Sequence, residues 1–290
     1  MFRSAIFAAL LISATTDLVA QRGTKAPAPI EMEVAQVNDR RGGEYFEKLQ
    51  LVVDLPKYSP KDVVAARVLV SSAVDETGRN LISEEDGEPG LQALSGYGDD
   101  DDPVQISFDL APPAREASRI SEIRGEVELY MPSKDANSVA TIPKFLASKG
   151  KALSHKALKA NGVEITLVSD QQYEAEKKKA AEAKRQEMVR EEYPEDMIED
   201  LVKSFIEYYP TPEENDVMVK LKDPKGLIQE ITFVDGSGET KRVNVREDEG
   251  LSFLSTWDGK PGNDWTLRVN MKTSKSLARL PFALANVELP

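Results

Sequence analysis

The chain reads as a mostly β protein, two antiparallel β-sandwich modules joined by a helical connector. Three observations predict this. Apolar and polar residues alternate in six separate segments, Gly- and Asp-rich turns punctuate them, and one long Glu/Lys/Ala-rich run interrupts the pattern near the middle. Period-two alternation with one polar face marks antiparallel sheets that are wet on one side. Many short strands with such turns pack as sandwiches or barrels.

The alternating segments come in order. Leu49, Leu51 and Val53 share one face; then Val104, Ile106, Phe108 and Leu110; then Val127, Leu129 and Met131. Val163, Ile165 and Leu167 follow, and after the charged run come Val217, Val219 and Leu221, and finally Leu267, Val269 and Met271. Turn signals lie at Asp75-Glu76-Thr77-Gly78, Asp235-Gly236-Ser237-Gly238 and Asp258-Gly259-Lys260-Pro261-Gly262.

Between the strand regions, Asp170 to Glu192 is almost wholly Glu, Lys, Gln, Arg and Ala, so a solvated helix capped by Asp170 is expected. A second helix is expected to start at Pro194. Its Met197, Ile198, Leu201, Val202, Phe205 and Ile206 recur at helical spacing and should pack on something, and Pro210 and Pro212 end it. The resulting organisation is a signal segment at 1–20, a linker at 21–32, one module at 33–168, a helical connector at 169–210 and a second module at 214–290.

The beginning of the chain predicts export. Arg3 precedes an apolar run from Ala5 to Ala14, and small and polar residues lead to Leu18-Val19-Ala20-Gln21, the order of a cleavable secretory signal ending at Ala20. That run is shorter than the roughly 20 residues a spanning helix needs. The chain has no Cys, so no disulfide supports it. With about 270 residues beyond the signal it is long enough for two cores without one.

A net charge of −13 argues against nucleic acid and against anionic membrane surfaces as partners. Neither a GxGxxG nor a GxxxxGK[ST] loop occurs. The single His, His155, lies beside Lys156 in a polar stretch and reads as a surface residue rather than a member of a triad or a zinc site. No two carboxylates are singled out as an acid/base pair.

Two acidic clusters, Glu84-Glu85-Asp86 and Asp99-Asp100-Asp101-Asp102, are candidate ligands for Ca²⁺ at an oxygen-rich loop, without the EF-hand spacing. No other cofactor is expected. Trp257 and Trp265 bracket a turn and are candidate sugar-stacking residues, with packing at the edge of the core as the plainer reading.

The two strand regions look related. A strand, a polar turn with Lys and an apolar-x-x-apolar-Pro strand recur in Val127 to Pro143 (Ser133-Lys134, then Val139-Ala140-Thr141-Ile142-Pro143) and in Leu267 to Pro281 (Ser274-Lys275, then Leu277-Ala278-Arg279-Leu280-Pro281). Strand count and turn spacing resemble tandem immunoglobulin-like or fibronectin-type-III-like modules of exported bacterial proteins. The Cys pair and core Trp of a true immunoglobulin domain are missing.

The expectation for function is a secreted or periplasmic, non-enzymatic binding or structural protein with a protein or glycan partner in the envelope or exterior. The alternatives are a carbohydrate-binding module and a carboxylate-dependent hydrolase.

Overall fold

The computed structural model describes residues 28–41, 47–82, 89–94 and 103–290. Fifteen strands and three α-helices follow one another among these. The first six strands are β1 (Glu33–Arg40), β2 (Lys48–Leu55), β3 (Ala65–Asp75), β4 (Gln92–Ala93), β5 (Val104–Leu110) and β6 (Arg119–Tyr130). β7 (Val139–Pro143), α1 (Lys156–Asn161) and β8 (Glu164–Leu167) come next, then α2 (Asp170–Arg190) and α3 (Glu195–Tyr208). The rest are β9 (Val217–Lys222), β10 (Ile228–Val234), β11 (Thr240–Arg242), β12 (Asn244–Asp248), β13 (Leu251–Ser255), β14 (Thr266–Met271) and β15 (Leu277–Glu288).

Alternation translates directly into burial. Leu49, Leu51, Val53 and Leu55 of β2 are fully buried, and Val104, Ile106, Phe108 and Leu110 of β5 answer them across the ladder. These strands and β1 form a three-stranded sheet. It shares one apolar core with the four-stranded sheet β15-β6-β3-β4, whose Val68, Ile123, Val127, Leu129, Phe282 and Leu284 face it. A second core lies between the sheets β11-β10-β14-β7 and β12-β13-β9-β8. There Phe145 stacks on Phe233, with ring centroids 5.1 Å apart, and Ile165, Val219, Leu267 and Val269 are buried around them. All the pairings are antiparallel, and the fold is mostly β, as the alternation predicts.

Each core is closed by a strand that the chain order would assign to the other. β7 follows β6 in sequence, yet it pairs with β14, Ile142 opposite Leu267 and Pro143 opposite Thr266. β15 follows β14, yet it pairs with β6 over almost its whole length, Leu280 opposite Val127 and Pro281 opposite Glu126. In both cases the apolar-Pro pair lands on the same apolar step of the inner strand. Both prolines sit in the outermost strand of their sheet, where the missing N–H interrupts no ladder between two neighbours. The cores therefore cross the boundaries expected at 33–168 and 214–290. Residues 139–167 pack with 217–271, and 277–288 pack with 33–130.

The two crossing segments run side by side and hold one another. Met131 N–H donates to Ser276 O at 2.7 Å, and Met271 N–H donates to Ser138 O at 2.7 Å. Ser138 Oγ and Tyr130 OH both donate to Met271 O, at 2.9 and 3.2 Å. Thr273 Oγ1 donates to Asp135 Oδ2 at 2.7 Å. Ser138, Ser276 and Tyr130 are wholly buried, so these bonds satisfy groups that water cannot reach. Burial pushes the Tyr130 hydroxyl up to about 12, and it stays a neutral donor.

Two hairpin turns repeat atom for atom. Asp75 Oδ1 accepts from Thr77 N, Thr77 Oγ1 and Arg79 N at 2.9, 2.7 and 3.0 Å. Asp235 Oδ1 accepts from Ser237 N, Ser237 Oγ and Glu239 N at 2.9, 2.6 and 2.9 Å. Gly78 and Gly238 follow with φ of 87° and 90°, a left-handed conformation that glycine adopts without steric cost.

Asp75 is also buried, and its Oδ2 accepts from Ala114 N at 2.9 Å. Burial alone would raise its pKa; the hydrogen bonds outweigh it and hold the carboxyl below its ordinary value. A depressed folded pKa contributes stability that is full above the ordinary range near pH 4 and is lost as pH falls toward the folded value. Asp75→Asn should therefore cost about 2 kcal/mol at pH 7. The gap should narrow when urea midpoints are compared again at about pH 3, below the ordinary carboxylate value. A gap of the same size at both pH values contradicts this role.

Candidate functional site

Among the described residues the helical pair is the one large element outside the two cores. It joins β8 to β9, which are neighbours in one sheet, so the segment expected to connect two modules connects two strands of the same one. The cap of α2 is Ser169 rather than Asp170. Ser169 Oγ accepts from Gln172 N at 3.2 Å, and Gln172 Oε1 accepts from Ser169 N at 3.0 Å, a reciprocal capping box. Asp170 occupies the first turn, where its charge complements the helix dipole. α3 begins one residue after Pro194, with Glu195 and Asp196 in its first turn.

The root of the pair packs on the second sandwich. Val168, Tyr173, Tyr209, Met218, Leu251 and Phe253 form a small core there. Tyr173 OH donates to Pro210 O at 2.9 Å, and Lys220 reaches Glu176 at 2.8 Å and holds that carboxyl below its usual range. Further out the helices hold each other through Ala181, Met188, Ile198 and Val202, with Phe205 packed against both clusters.

The neighbouring flank of α3 has no partner among the described residues. Met197, Leu201 and Tyr208 recur at helical spacing on one side of the helix and are 47%, 38% and 83% exposed. Val189 near the end of α2 and Tyr193 in the turn before α3 are also exposed, and Ile206 lies on another face of α3. The apolar spacing that predicts packing over 197–206 is thus half used. Ile198, Val202 and Phe205 pack, and Leu201, expected to pack with them, does not.

Trp257 and Trp265 do not form a joint platform. Trp257 is 86% exposed, whereas Trp265 packs on the second core with its ring edge toward Phe233, centroids 6.2 Å apart. His155 caps a helix that its polar surroundings did not announce: its Nδ1 accepts from Ala157 N at 3.1 Å to start α1, and Gly162, at φ 72°, ends it. A cap residue and a Gly seven positions on are signals that could have located this helix. Glu84, Glu85, Asp86, Asp99, Asp100, Asp101 and Asp102 lie outside the described residues. Among the described residues no three His, Cys, Asp or Glu side chains converge where they could hold a metal ion.

Two clefts lie among the described residues. One, beside the root of the helices, is lined by Lys149, Asp170, Glu213, Asp216 and Lys260. Asp170 is bonded there by Lys149 at 2.9 Å, and Asp216 by Arg246 at 3.1 Å. The other lies at the crossing segments, where buried Glu128 accepts from Arg67 Nε at 3.1 Å and from Arg279 Nε at 2.5 Å. Its two oxygens are engaged by two guanidinium groups. Among the described residues every carboxyl with a clearly shifted pKa (Asp75, Glu76, Asp135, Glu176, Glu187, Asp235) is shifted down, the direction opposite to that of a general acid. Among the described residues no helix is long and apolar enough to cross a membrane.

No protein-family model, curated protein or solved structure matches the chain.

Proposed function

We propose that this is an exported, non-enzymatic binding protein of the cell envelope or exterior, in which paired β-sandwiches carry a helical hairpin that docks a protein partner. One observation carries this reading. Of the eight large apolar side chains exposed among the described residues, six (Val189, Tyr193, Met197, Leu201, Ile206 and Tyr208) lie in the hairpin between residues 189 and 208. Scattered apolar residues are ordinary on a surface, whereas a concentration on one element marks an interaction site. Export is supported by Arg3, the apolar run behind it and the small-residue end at Ala20. The three- and four-stranded sheets around one core support the resemblance to immunoglobulin-like or fibronectin-type-III-like modules, which by itself assigns no ligand.

The test is a photo-crosslinking residue placed in the full chain, in cells that make it, at Leu201 on the stripe and separately at the exposed Lys178 of α2. A discrete protein adduct is expected at Leu201 and none at Lys178. No adduct at Leu201, or the same adducts at both positions, contradicts the reading.

A further inference from the structure

We propose that the partner presents a basic amphipathic helix, which lies along the Met197–Leu201–Tyr208 stripe with its Lys or Arg side chains against the acidic border of α3. This inference rests on the hairpin being the docking element. Its basis is the distribution of charge beside the stripe. Asp196, Asp200 and Glu207 recur along one flank of Met197, Leu201 and Tyr208, and Glu195 and Glu199 add to the acidity of the same helix. All five are exposed, and none makes an ion pair or a side-chain hydrogen bond among the described residues. The helix carries one basic residue, Lys203, against them. α2 differs: Asp170, Glu176 and Glu187 are each bonded by a lysine.

An apolar stripe with an uncompensated acidic border selects for its complement. From Met197 to Tyr208 it runs about 16 Å at 1.5 Å per residue, roughly three turns of a facing helix. A partner with apolar residues at i, i+3, i+4, i+7 and basic residues beside them buries the one and neutralises the other. A second copy fits poorly, because its own stripe would bring acid against acid, and its α2 offers almost no apolar face. An anionic membrane surface is repelled by the same border.

The test uses residues 21–290 and three fluorescent peptides of about 18 residues, long enough to cover the stripe as a helix. One has Leu at helical spacing bordered by Lys, one has Glu in place of Lys, and one is a scramble of the first. Anisotropy should give saturable binding of the Lys peptide, with the Glu peptide and the scramble each weaker by about tenfold or more. Leu201→Glu should weaken the Lys peptide by about tenfold or more, the loss of one buried Leu contact. Tyr208→Ser, at an 83% exposed position, should act in the same direction and stands in if the first variant does not fold. The triple change Asp196→Lys, Asp200→Lys, Glu207→Lys should reverse the preference toward the Glu peptide. Equal binding of Lys peptide and scramble, no binding of the Lys peptide, or indifference to both stripe variants overturns the proposal. Self-association abolished by Leu201→Glu in sedimentation also overturns it, in favour of a second copy. If the Lys peptide fails while the Leu201 crosslink still captures a protein, this inference falls and the docking role stands.

Discussion

Ending the chain at Ser276 should unfold the sheets of residues 33–130 and leave those of 139–271 folded. The removed segment contains β15, which shares no ladder with its sequence neighbour β14. It does pair with β6 from Arg119 to Tyr130, and it brings Phe282, Leu284 and Val287 into the first core. Each such side chain contributes about 1.5–3 kcal/mol through burial, so three of them approach the roughly 5–15 kcal/mol that a domain has in total. The truncation also turns β6 into an open edge with buried residues on both faces, a template for aggregation. Segment-resolved hydrogen exchange is the readout. Protection should vanish in β2, β3, β5 and β6 and persist in β9, β10 and β14. Loss of protection in β14 with retention in β6 would place β15 in the other module.

The second large effect is expected at Gly125. This residue lies in β6 where β3 and β15 press in from both sides. A Cβ added there would sit 2.2 Å from Leu69 O, 2.8 Å from Phe282 Cε1 and 3.0 Å from Val70 Cα. Two of these three atoms are backbone, and β3 already carries a register irregularity between Val70 and Ser72. A side chain cannot be fitted without moving the sheet. Gly125→Val should therefore cost at least about 3 kcal/mol, read as a lower urea midpoint with an unchanged slope. The control is Gly90→Ala, where nothing lies within 4 Å, with an expected change inside about 0.5 kcal/mol. Equal effects of the two substitutions would show that close approach at Gly125 does not matter.

The sequence carries some of these features on its face. Leu49-Leu51-Val53, Val104 to Leu110 and Leu267-Val269-Met271 are readable because the period of two specifies which side chains face a core. The same period does not specify which sheet a strand joins. β7 and β15 carry the same apolar-Pro pair and could each close either core, so alternation alone cannot distinguish neighbours in the chain from neighbours in the sheet. That choice is made by bonds between the crossing segments, such as Met131 N to Ser276 O and Met271 N to Ser138 O, which link residues far apart in sequence. Glu128 and Tyr130 show the same limit. They occupy the polar positions of an alternating strand yet are buried, because Arg67 and Arg279 cover one and the crossing segment covers the other.

The candidate site was half legible. Helical spacing of Met197, Ile198, Leu201, Val202 and Phe205 identified an apolar helix, and the acidic residues between them were visible. Which apolar residues remain outside depends on how α2 lies against α3, and that rests on Ala181 and Met188 in a helix whose composition suggests little apolar face.

The exchange of closing strands is the central claim, and the absence of Cys from the chain makes it directly measurable. Arg268 of β14 lies opposite Thr141 of β7. Arg279 holds the position in β15 that Thr141 holds in β7, one residue before the apolar-Pro pair, and it faces Glu128 instead. Residues directly opposite in antiparallel strands are about 4.5–5.5 Å apart at Cα, within the range a disulfide spans. The double variant Arg268→Cys with Thr141→Cys should therefore close a disulfide under mild oxidation, scored by mass and electrophoretic mobility, and Arg268→Cys with Arg279→Cys should remain reduced. A bond in the second pair and none in the first would mean that each sandwich is closed by the strand that follows it in sequence, which contradicts the account.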